Sequence, residues 1–416
     1  MALPGRPFWV IVHRWAGLTL ALFLAVAGLT GSLLPWFEEL DAATAPAMQN
    51  AAPPRPGMAA LDPLAVRAGL LARHPAARVD FVYLTRLPGR ADRLYATWPD
   101  PRTGLERRDR PDWDDVFLNP WTGAEQGHRR NGDVRQGIKN LMPFLYRLHY
   151  SLALGPWGLF TMGVAALVWT VDCFVGFYLT LPPGALGKGG LWRRWRPSWK
   201  VRRPTSSYKL TFDLHRAGGL WLWPILLVFA LSSVSFNLPQ VYRPVLGLLG
   251  GQDDEALLEA SALPSPRWNP ALDFPAAARH GAALAQQETA RRGLSLRPDG
   301  RAWLWYIPAT GLYVYGVKSS ADITQEGGGT RIAFDGNSGE LRHVSVPTGA
   351  QGATTFTTWV VALHMAHVGG LAWRIAVSVI GLGITVLSVT GVLIWLRKRS
   401  ARAGRRFKAA ARPAPA

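Results

Sequence analysis

The sequence contains almost no cysteine: among its 416 residues, Cys173 stands alone. A single cysteine excludes disulfides within the chain, cysteine-ligated iron–sulfur clusters and thiolate zinc sites. The chain also lacks the H-E-x-x-H motif of zinc proteases. No G-x-G-x-x-G fingerprint follows a strand-like segment, so the usual sequence signature of a dinucleotide-binding domain is missing as well.

Acidic residues are absent from two short segments, and these segments carry most of the formal net charge of +19. The long stretches between them are nearly balanced, with 16 basic and 14 acidic residues in 38–147 and 10 and 11 in 239–362. Because each basic segment adjoins an apolar run, the charge indicates membrane topology and not a nucleic-acid partner. The basic residues are Lys188, Arg193, Arg194, Arg196, Lys200, Arg202, Arg203 and Lys209 in the first segment and eight more between Arg397 and Arg412 in the second.

Four apolar runs are long enough to cross a bilayer, which takes about 20 residues. The first exceeds the apolar core of a signal peptide, so we interpret it as a retained anchor. By the positive-inside rule the two basic segments are cytoplasmic, which places both termini inside and the two long intervening segments in the periplasm or exterior. The four runs are Ala16–Phe37, Gly155–Leu181, Ala217–Leu238 and Gly369–Leu396.

Short phrases recur along the chain in the same order. "HRWAGL" at 13–18 returns as "HRAGGL" at 215–220, and "LHYSLALG" at 148–155 is echoed by "LHMAHVGG" at 363–370. Repeats of this kind indicate a duplicated unit. We therefore predict a membrane α-helical fold: a four-helix transmembrane bundle built from two repeated halves, with two external α+β modules.

Each external segment is predicted to hold one helix followed by three strands. The helices are 61–75, with Asp62 as its cap, and 274–293; the strands are 78–86, 93–98, 115–119, 301–308, 312–319 and 330–335. The predicted boundaries are 8–37, 146–181, 212–238 and 359–396 for the transmembrane helices, 38–145 and 239–358 for the external modules, 182–211 for the basic loop and 397–416 for the tail.

Four histidines precede the four apolar runs. His13 and His215 lie at the cytoplasmic ends, whereas His149 and His364 lie at the external ends. Two facing imidazoles at each membrane side suit the axial coordination of a haem iron between helices. Without a C-x-x-C-H motif, such haem is b-type and bound non-covalently. The pattern therefore predicts two b haems, with these four histidines as their iron ligands.

Other residues near these histidines complete the predicted cofactor site. Arg14, Arg147 and Arg216 are placed to pair with haem propionates. Asp172, an ionisable residue within the second span, has two possible functional roles, to accept a hydrogen bond from a ligating imidazole or to pass protons. The alternative is a structural hydrogen bond to a neighbouring helix. His367 is an alternative to His364 as a ligand. A zinc site at the "HMAH" stretch, 364–367, is a weaker alternative, since no third ligand or general base stands nearby.

The residues above resemble the PepSY-associated transmembrane family, the iron-regulated inner-membrane proteins of bacteria, over nearly the whole chain to Arg399. Within that family the chain is most similar to the ferric-siderophore reductases of the ferrioxamine B type. The resemblance implies PepSY-like external modules, two b haems held by His13, His149, His215 and His364, and reduction of chelated Fe(III) on the periplasmic side. The segments that carry it are 13–34, 148–158, 212–224, 232–245 and 363–374.

The resulting functional hypothesis is an inner-membrane enzyme that passes electrons from a quinol or a cytoplasmic reductase to an external ferric siderophore. Such a protein needs haem and a lipid bilayer but no catalytic acid, nucleophile or nucleic acid. Two alternatives remain open. One is a non-enzymatic membrane sensor whose PepSY-type modules bind a peptide or a protease, and the other is a haem-bearing electron carrier for a different periplasmic partner.

Overall fold

The computed structural model of the chain describes residues 5–100, 102–184, 190–251, 260–325 and 327–410, with backbone alone for 402 and 404–410. Lys188 of the predicted basic loop and residues 411–416 of the predicted tail lie outside the described residues. The chain forms two compact units. The first unit comprises the described parts of 1–35, 146–242 and 371–416, and the second those of 36–145 and 243–370.

Helices dominate the first unit, and strands occur in the second. The described helices are α1 Arg6–Gly31, α2 Phe37–Thr44, α3 Pro46–Gln49, α4 Pro63–Arg73, α5 Leu141–Ser151, α6 Gly155–Thr180, α7 Leu191–Trp195, α8 Ser207–Asn237, α9 Pro239–Leu248, α10 Phe274–Arg291, α11 Gly352–His364 and α12 Gly370–Ala410. The described strands are β1 Phe81–Tyr83, β2 Asp92–Tyr95, β3 Asp115–Leu118, β4 Glu125–Arg129, β5 Trp303–Ile307, β6 Leu312–Val317, β7 Thr330–Asp335 and β8 Leu341–Ser345.

Four helical segments of the described chain are long and apolar enough to cross a membrane, as the four apolar runs predict. They contain α1, α6, α8 and α12, and only parts of their surfaces are buried within the protein. The remaining apolar surface suits contact with lipid, so the protein is embedded in a membrane. The segments are Arg6–Thr44, Gly155–Thr180, Ser207–Asn237 and Gly370–Ala401.

Two of the predicted transmembrane helices are interrupted where the sequence analysis made them continuous. In the predicted helix 146–181, the residues between α5 and α6 include Leu152 and Ala153 at φ values of 52° and 55°. In the predicted helix 359–396, Ala366 has a φ of 56° between α11 and α12. Left-handed backbone ends a right-handed helix. His149 and His364 therefore lie on short helices that precede α6 and α12.

Close backbone contact joins α1 and α12 within the first unit. A Cβ atom at Gly28 would lie 2.6 Å from the carbonyl oxygen of Gly381, and a Cβ at Gly381 would lie 2.6 Å from that of Gly28. No side chain fits at either position without moving the helices apart. Glycines of this kind permit tight helix packing in a bilayer, where lipid offers no hydrophobic force to press helices together.

The second unit holds two antiparallel sheets. One has the strand order β1-β5-β6-β7-β8 and the other β2-β3-β4. In the larger sheet, Phe81 of β1 pairs with Trp305 of β5, although these strands come from the two different external segments. Side chains of both segments also share one core, which includes Leu70 of α4 and Phe274 of α10. The two predicted modules are thus joined in one sheet and one core.

Several local predictions agree with the structure, and some strands were missed. The Asp62 side chain accepts a hydrogen bond of 2.7 Å from the amide of Leu64 and caps α4 as predicted. All six predicted strands are present; β7 has the predicted bounds, and the other five are shorter than predicted. The sequence analysis missed β4 and β8, whose sequences EQGHR and LRHVS are rich in polar residues. The predicted basic loop contains α7 and a 3-10 helix, Arg196–Trp199, in place of irregular chain.

Candidate functional site

His13 is bound to a carboxylate inside the helical unit. Its Nδ1 lies 2.9 Å from Oδ1 and 3.0 Å from Oδ2 of Asp172 on α6. The Asp172 side chain is only 10% exposed. Because a carboxylate accepts hydrogen bonds, Nδ1 of His13 is the donor and Nε2 carries the lone pair. Accepting this bond is one of the two roles predicted for Asp172.

His215 is held in the same way by a different acceptor. Its Nδ1 donates to the backbone carbonyl of Leu387 on α12, at 3.0 Å, and lies 3.2 Å from Oγ1 of Thr390. A carbonyl oxygen has no proton to give, so Nδ1 must be protonated and Nε2 again carries the lone pair. A neutral imidazole with its Nδ1 hydrogen bonded is the usual state of a metal-binding histidine.

The two imidazoles lie close together although they are 202 positions apart in the chain. Their ring centroids are 6.2 Å apart, and the ring planes meet at 52°. Two imidazole nitrogens bound to one metal ion at about 2 Å place the ring centres about 6 Å apart, when about 1 Å is added for each ring. The observed separation therefore fits two axial ligands of one ion.

Glycines lie against both rings at equivalent positions of the repeat. A Cβ at Gly176 would be 3.3 Å from Cε1 of His13, and a Cβ at Gly391 would be 3.2 Å from Cε1 of His215. Gly176 and Gly391 are 215 positions apart, as are Asp172 and Leu387. Each imidazole thus packs on the following transmembrane helix of its own half, at the same place in both halves.

His149 shows the same pattern against α1. Its Nδ1 lies 3.1 Å from the carbonyl oxygen of Ala27 and 3.1 Å from Oγ1 of Thr30. A Cβ at Gly31 would lie 2.9 Å from Cε1 of His149. The carbonyl again fixes the proton on Nδ1 and leaves the lone pair on Nε2. In three of the four predicted ligands, therefore, Nδ1 is hydrogen-bonded to an oxygen acceptor, which is the arrangement found in metal-binding histidines.

The structure places His364 and His367 in the second unit. His364 is the last residue of α11, and the backbone carbonyl of His367 accepts a hydrogen bond of 3.0 Å from Gln325. The pairing of His149 with His364, and the choice between His364 and His367, remain predictions from the sequence. The two histidines are part of no group of three or more His, Cys, Asp or Glu side chains able to hold a metal ion within the described residues.

The number of protein ligands available distinguishes a haem site from a zinc site. Structural and catalytic zinc take at least three ligands from the protein. Haem brings four equatorial nitrogens with it and asks the protein for two axial ligands at most. The His13–His215 pair offers two imidazoles with the right protonation and spacing, so these residues fit haem.

The predicted propionate partners differ in their surroundings. Arg216 donates to Asp213 at 3.0 Å and to the carbonyl of Pro197 at 2.9 Å. Asp213 is fully buried and also binds Arg202 through both carboxylate oxygens. In the described part of the chain no acceptor meets the buried Nε of Arg216, which leaves this donor available for an anionic group. Arg14 and Arg147 are half-buried.

Sequence reasoning missed several residues of this site. Asp213 lies within the segment 212–224, but the sequence analysis gave it no role. Thr390 was overlooked because a single threonine in an apolar helix is common. The signal for Gly391 was present, since the repeat offset of 215 leads to it directly from Gly176. The carbonyl of Leu387 had no signal, because the sequence does not reveal which backbone carbonyl meets a side chain.

Comparison with known families gives one match. The family model described as the PepSY-associated TM region matches residues 10–398. The matched range includes all of the predicted haem ligands, the three predicted propionate partners and Asp172. The curated proteins compared with the chain gave no match.

Proposed function

The chain belongs to the PepSY-associated transmembrane family, and from this premise we propose that it binds two b-type haems and reduces ferric siderophores or other ferric chelates. The proposed location is the bacterial inner membrane. Both termini and the basic loop are cytoplasmic in this proposal, and the second unit is periplasmic. The excess of arginine and lysine in 182–211 and in the tail supports this orientation.

The relation between His13 and His215 is the observation that carries the proposal. Two imidazoles from distant parts of the chain meet at 6.2 Å inside a helical unit. Both donate Nδ1 to fixed acceptors, so both keep Nε2 for a metal. A structural pair of histidines needs no such matched arrangement.

The residues of the chain have distinct tasks in this proposal. His13 and His215 would hold one haem and His149 the other; the second ligand of that haem, His364 with His367 as the alternative, is inferred from the sequence alone. Asp172, Leu387, Ala27 and Thr390 fix the imidazole orientations, while Arg14, Arg147 and Arg216 meet propionates. When bound, haem supplies one-electron redox chemistry.

The overall reaction transfers one electron from a donor to each Fe(III) ion. We propose a quinol or a cytoplasmic reductase as the donor. Hydroxamate and catecholate oxygens are hard ligands, and Fe(II) is softer and less charged than Fe(III). Reduction therefore weakens the chelate and releases iron. The tight first unit separates donor and acceptor sides with apolar helices, so the electron crosses without an aqueous path for the siderophore.

Reoxidation of the reduced protein tests this function. The purified full-length protein is reduced with dithionite, freed of excess reductant and mixed without oxygen with ferrioxamine B. We expect b-type absorption bands in the reduced protein and their loss on mixing, with Fe(II) captured by a ferrous chelator. The gallium(III) complex of the same siderophore is the matched control, since gallium(III) is not reduced under these conditions.

The outcomes discriminate the alternatives. A folded protein without haem bands contradicts the proposal and favours the sensor hypothesis. A haem protein that the ferric and gallium complexes leave equally reduced is an electron carrier for another partner. Only reoxidation that is specific for the ferric complex supports siderophore reduction.

A further inference from the structure

The two halves of the bundle hold equivalent histidines with different acceptors. Asp172 and Leu387 occupy equivalent positions, 215 apart, on α6 and α12. At the first position the side-chain carboxylate receives Nδ1 of His13, and at the second the backbone carbonyl receives Nδ1 of His215. Gly176 lies against the ring of His13 in the same way that Gly391 lies against the ring of His215. The two histidines can therefore be compared directly, since their surroundings differ mainly in the hydrogen-bond acceptor.

The difference is one of charge. A leucine at position 387 leaves only the peptide carbonyl for the imidazole, and His149 likewise meets the carbonyl of Ala27. The acceptor of His13 is a carboxylate, whereas the acceptors named for His215 and His149 are backbone carbonyls. Both oxygens of that carboxylate lie within 3.0 Å of Nδ1.

A carboxylate inside a transmembrane helix carries a free-energy cost that simple positioning does not require. Ionisable groups in spans are rare and are found where they serve a function. The neutral carbonyl of Leu387 positions His215 equally well, at 3.0 Å. The carboxylate at Asp172 must therefore contribute something that a carbonyl cannot.

A carboxylate that accepts the Nδ1 proton makes the imidazole a stronger electron donor at Nε2. A stronger axial donor and a nearby negative charge both stabilise the ferric state over the ferrous state of a bound iron. Each effect lowers the reduction potential. A backbone carbonyl strengthens electron donation at Nε2 less than a carboxylate does, and it carries no net charge that would stabilise the ferric state.

We propose that Asp172 is a positioning residue that makes the His13–His215 haem the lower-potential one of the two and so directs electrons toward the His149–His364 haem. This inference rests on the proposed two-haem function. It adds an order between the haems, and it assigns that order to one side chain. A donor on the cytoplasmic side then meets the low-potential haem first, and the siderophore meets the high-potential haem.

A potentiometric titration of the full-length protein in nanodiscs tests the inference. Visible spectra give two midpoint potentials, and low-temperature EPR reports the axial ligands of each ferric haem. The test variant is Asp172→Asn, which retains a hydrogen-bond acceptor of the same shape and removes the charge. Ser388→Ala is the matched control, because it removes a hydroxyl beside Leu387 on α12 that hydrogen-bonds to the carbonyl of Ile384 within its own helix.

We expect D172N to raise the lower midpoint potential toward the upper one, with the upper potential unchanged and two haems per chain retained. S388A should shift neither potential appreciably. Asp172→Glu, which restores the charge, should return the lower potential toward the wild-type value. A purely structural Asp172 would leave both potentials unchanged in D172N, since the asparagine oxygen still accepts the hydrogen bond.

Failure of the inference is distinguishable from failure of the proposed function. A wild-type protein without haem overturns the proposed function. A D172N protein with two haems and unaltered potentials overturns the inference alone, as does a shift confined to the upper potential. If D172N does not retain haem, Asp172→Ser supplies the neutral comparison and is judged by the same two potentials.

Discussion

The imidazole of His13 lies 6.2 Å from that of His215, and each ring donates Nδ1 to the following transmembrane helix of its own half. The two histidines are far apart in the chain, so local structure does not bring these rings together. The two rings come close only when α1 and α8 pack beside α6 and α12. The distance between them is therefore a property of both the fold and the site.

Replacing the histidines singly should separate the two haems. His13→Ala and His215→Ala should each lower the haem content from about two to about one per chain, since one axial ligand is lost from the same haem. His149→Ala should remove the other haem and leave the first. Pyridine haemochrome assays on purified protein measure the content. His128→Ala is a suitable control, because His128 is a half-exposed residue of β4 in the second unit.

Haem content that stays at about two per chain in all three variants would contradict the ligand assignment. The double variant of His13 and His215 should lose no more haem than either single variant, because both residues serve one cofactor. An additive loss would instead place these residues at different haems.

Enlarging Gly176 should disturb the first haem without unfolding the protein. A Cβ there would lie 3.3 Å from Cε1 of His13, so the larger side chain of Gly176→Leu must push the imidazole aside. We expect loss of about half the haem while the elution volume in detergent stays unchanged. Gly17→Leu on α1 is the control, since no atom lies within 4 Å of a Cβ at that position. Full haem occupancy in G176L would show that the ring has room to move.

Substitution should be tolerated less well at the contact between Gly28 and Gly381 than at Gly176. In both directions the nearest atom is a backbone oxygen at 2.6 Å, which cannot rotate away as a side chain can. Gly28→Val should therefore reduce the free energy of unfolding by about 1–3 kcal/mol through forced separation of α1 and α12. Thermal unfolding in detergent measures the change. Equal melting temperatures for G28V and G17V would contradict close packing at this point.

Arg129 should be the most sensitive charged residue of the second unit. It is fully buried and binds Asp41 at 2.8 Å and Asp115 at 2.9 Å, both of which are also buried. Arg129→Met leaves the buried Asp41 without its cationic partner and Asp115 with Arg93 alone, and it should cost about 3–5 kcal/mol of stability. Thermal unfolding followed by tryptophan fluorescence measures this loss.

A matched control comes from Arg135, whose side chain is 83% exposed and pairs with Asp133. Arg135→Met should change stability by less than about 1 kcal/mol, since water screens an exposed pair. Combining R129M with Asp41→Asn and Asp115→Asn should recover part of the loss. Similar stabilities for R129M and R135M would mean that the buried network contributes little.

Much of the fold could be predicted because its signals are local. The apolar runs predict α1, α6, α8 and α12 from length alone. The Asp62-Pro63 pair predicts the start of α4, because a capping aspartate and a first-turn proline act within a few residues. The histidine positions follow from the repeated phrases.

Other features escaped prediction because they depend on distant contacts. Leu152, Ala153 and Ala366 adopt positive φ values that their side chains disfavour, and the sequence analysis did not use the nearby Gly155-Pro156 and Gly369-Gly370 as break signals. The pairing of β1 with β5 joins residues more than 200 positions apart. Sequence patterns identify strands but not their partners across such separations.

The sequence by itself determined that four apolar runs are long enough to cross a membrane and that a histidine precedes each run, because hydrophobic length and local motifs act over a few turns. The tertiary structure alone decided which groups receive the imidazole protons: a carboxylate for His13 and a carbonyl for His215. That choice depends on the register of one helix against another. Helix register is set by glycine contacts such as Gly28 with Gly381, which only the packed bundle reveals.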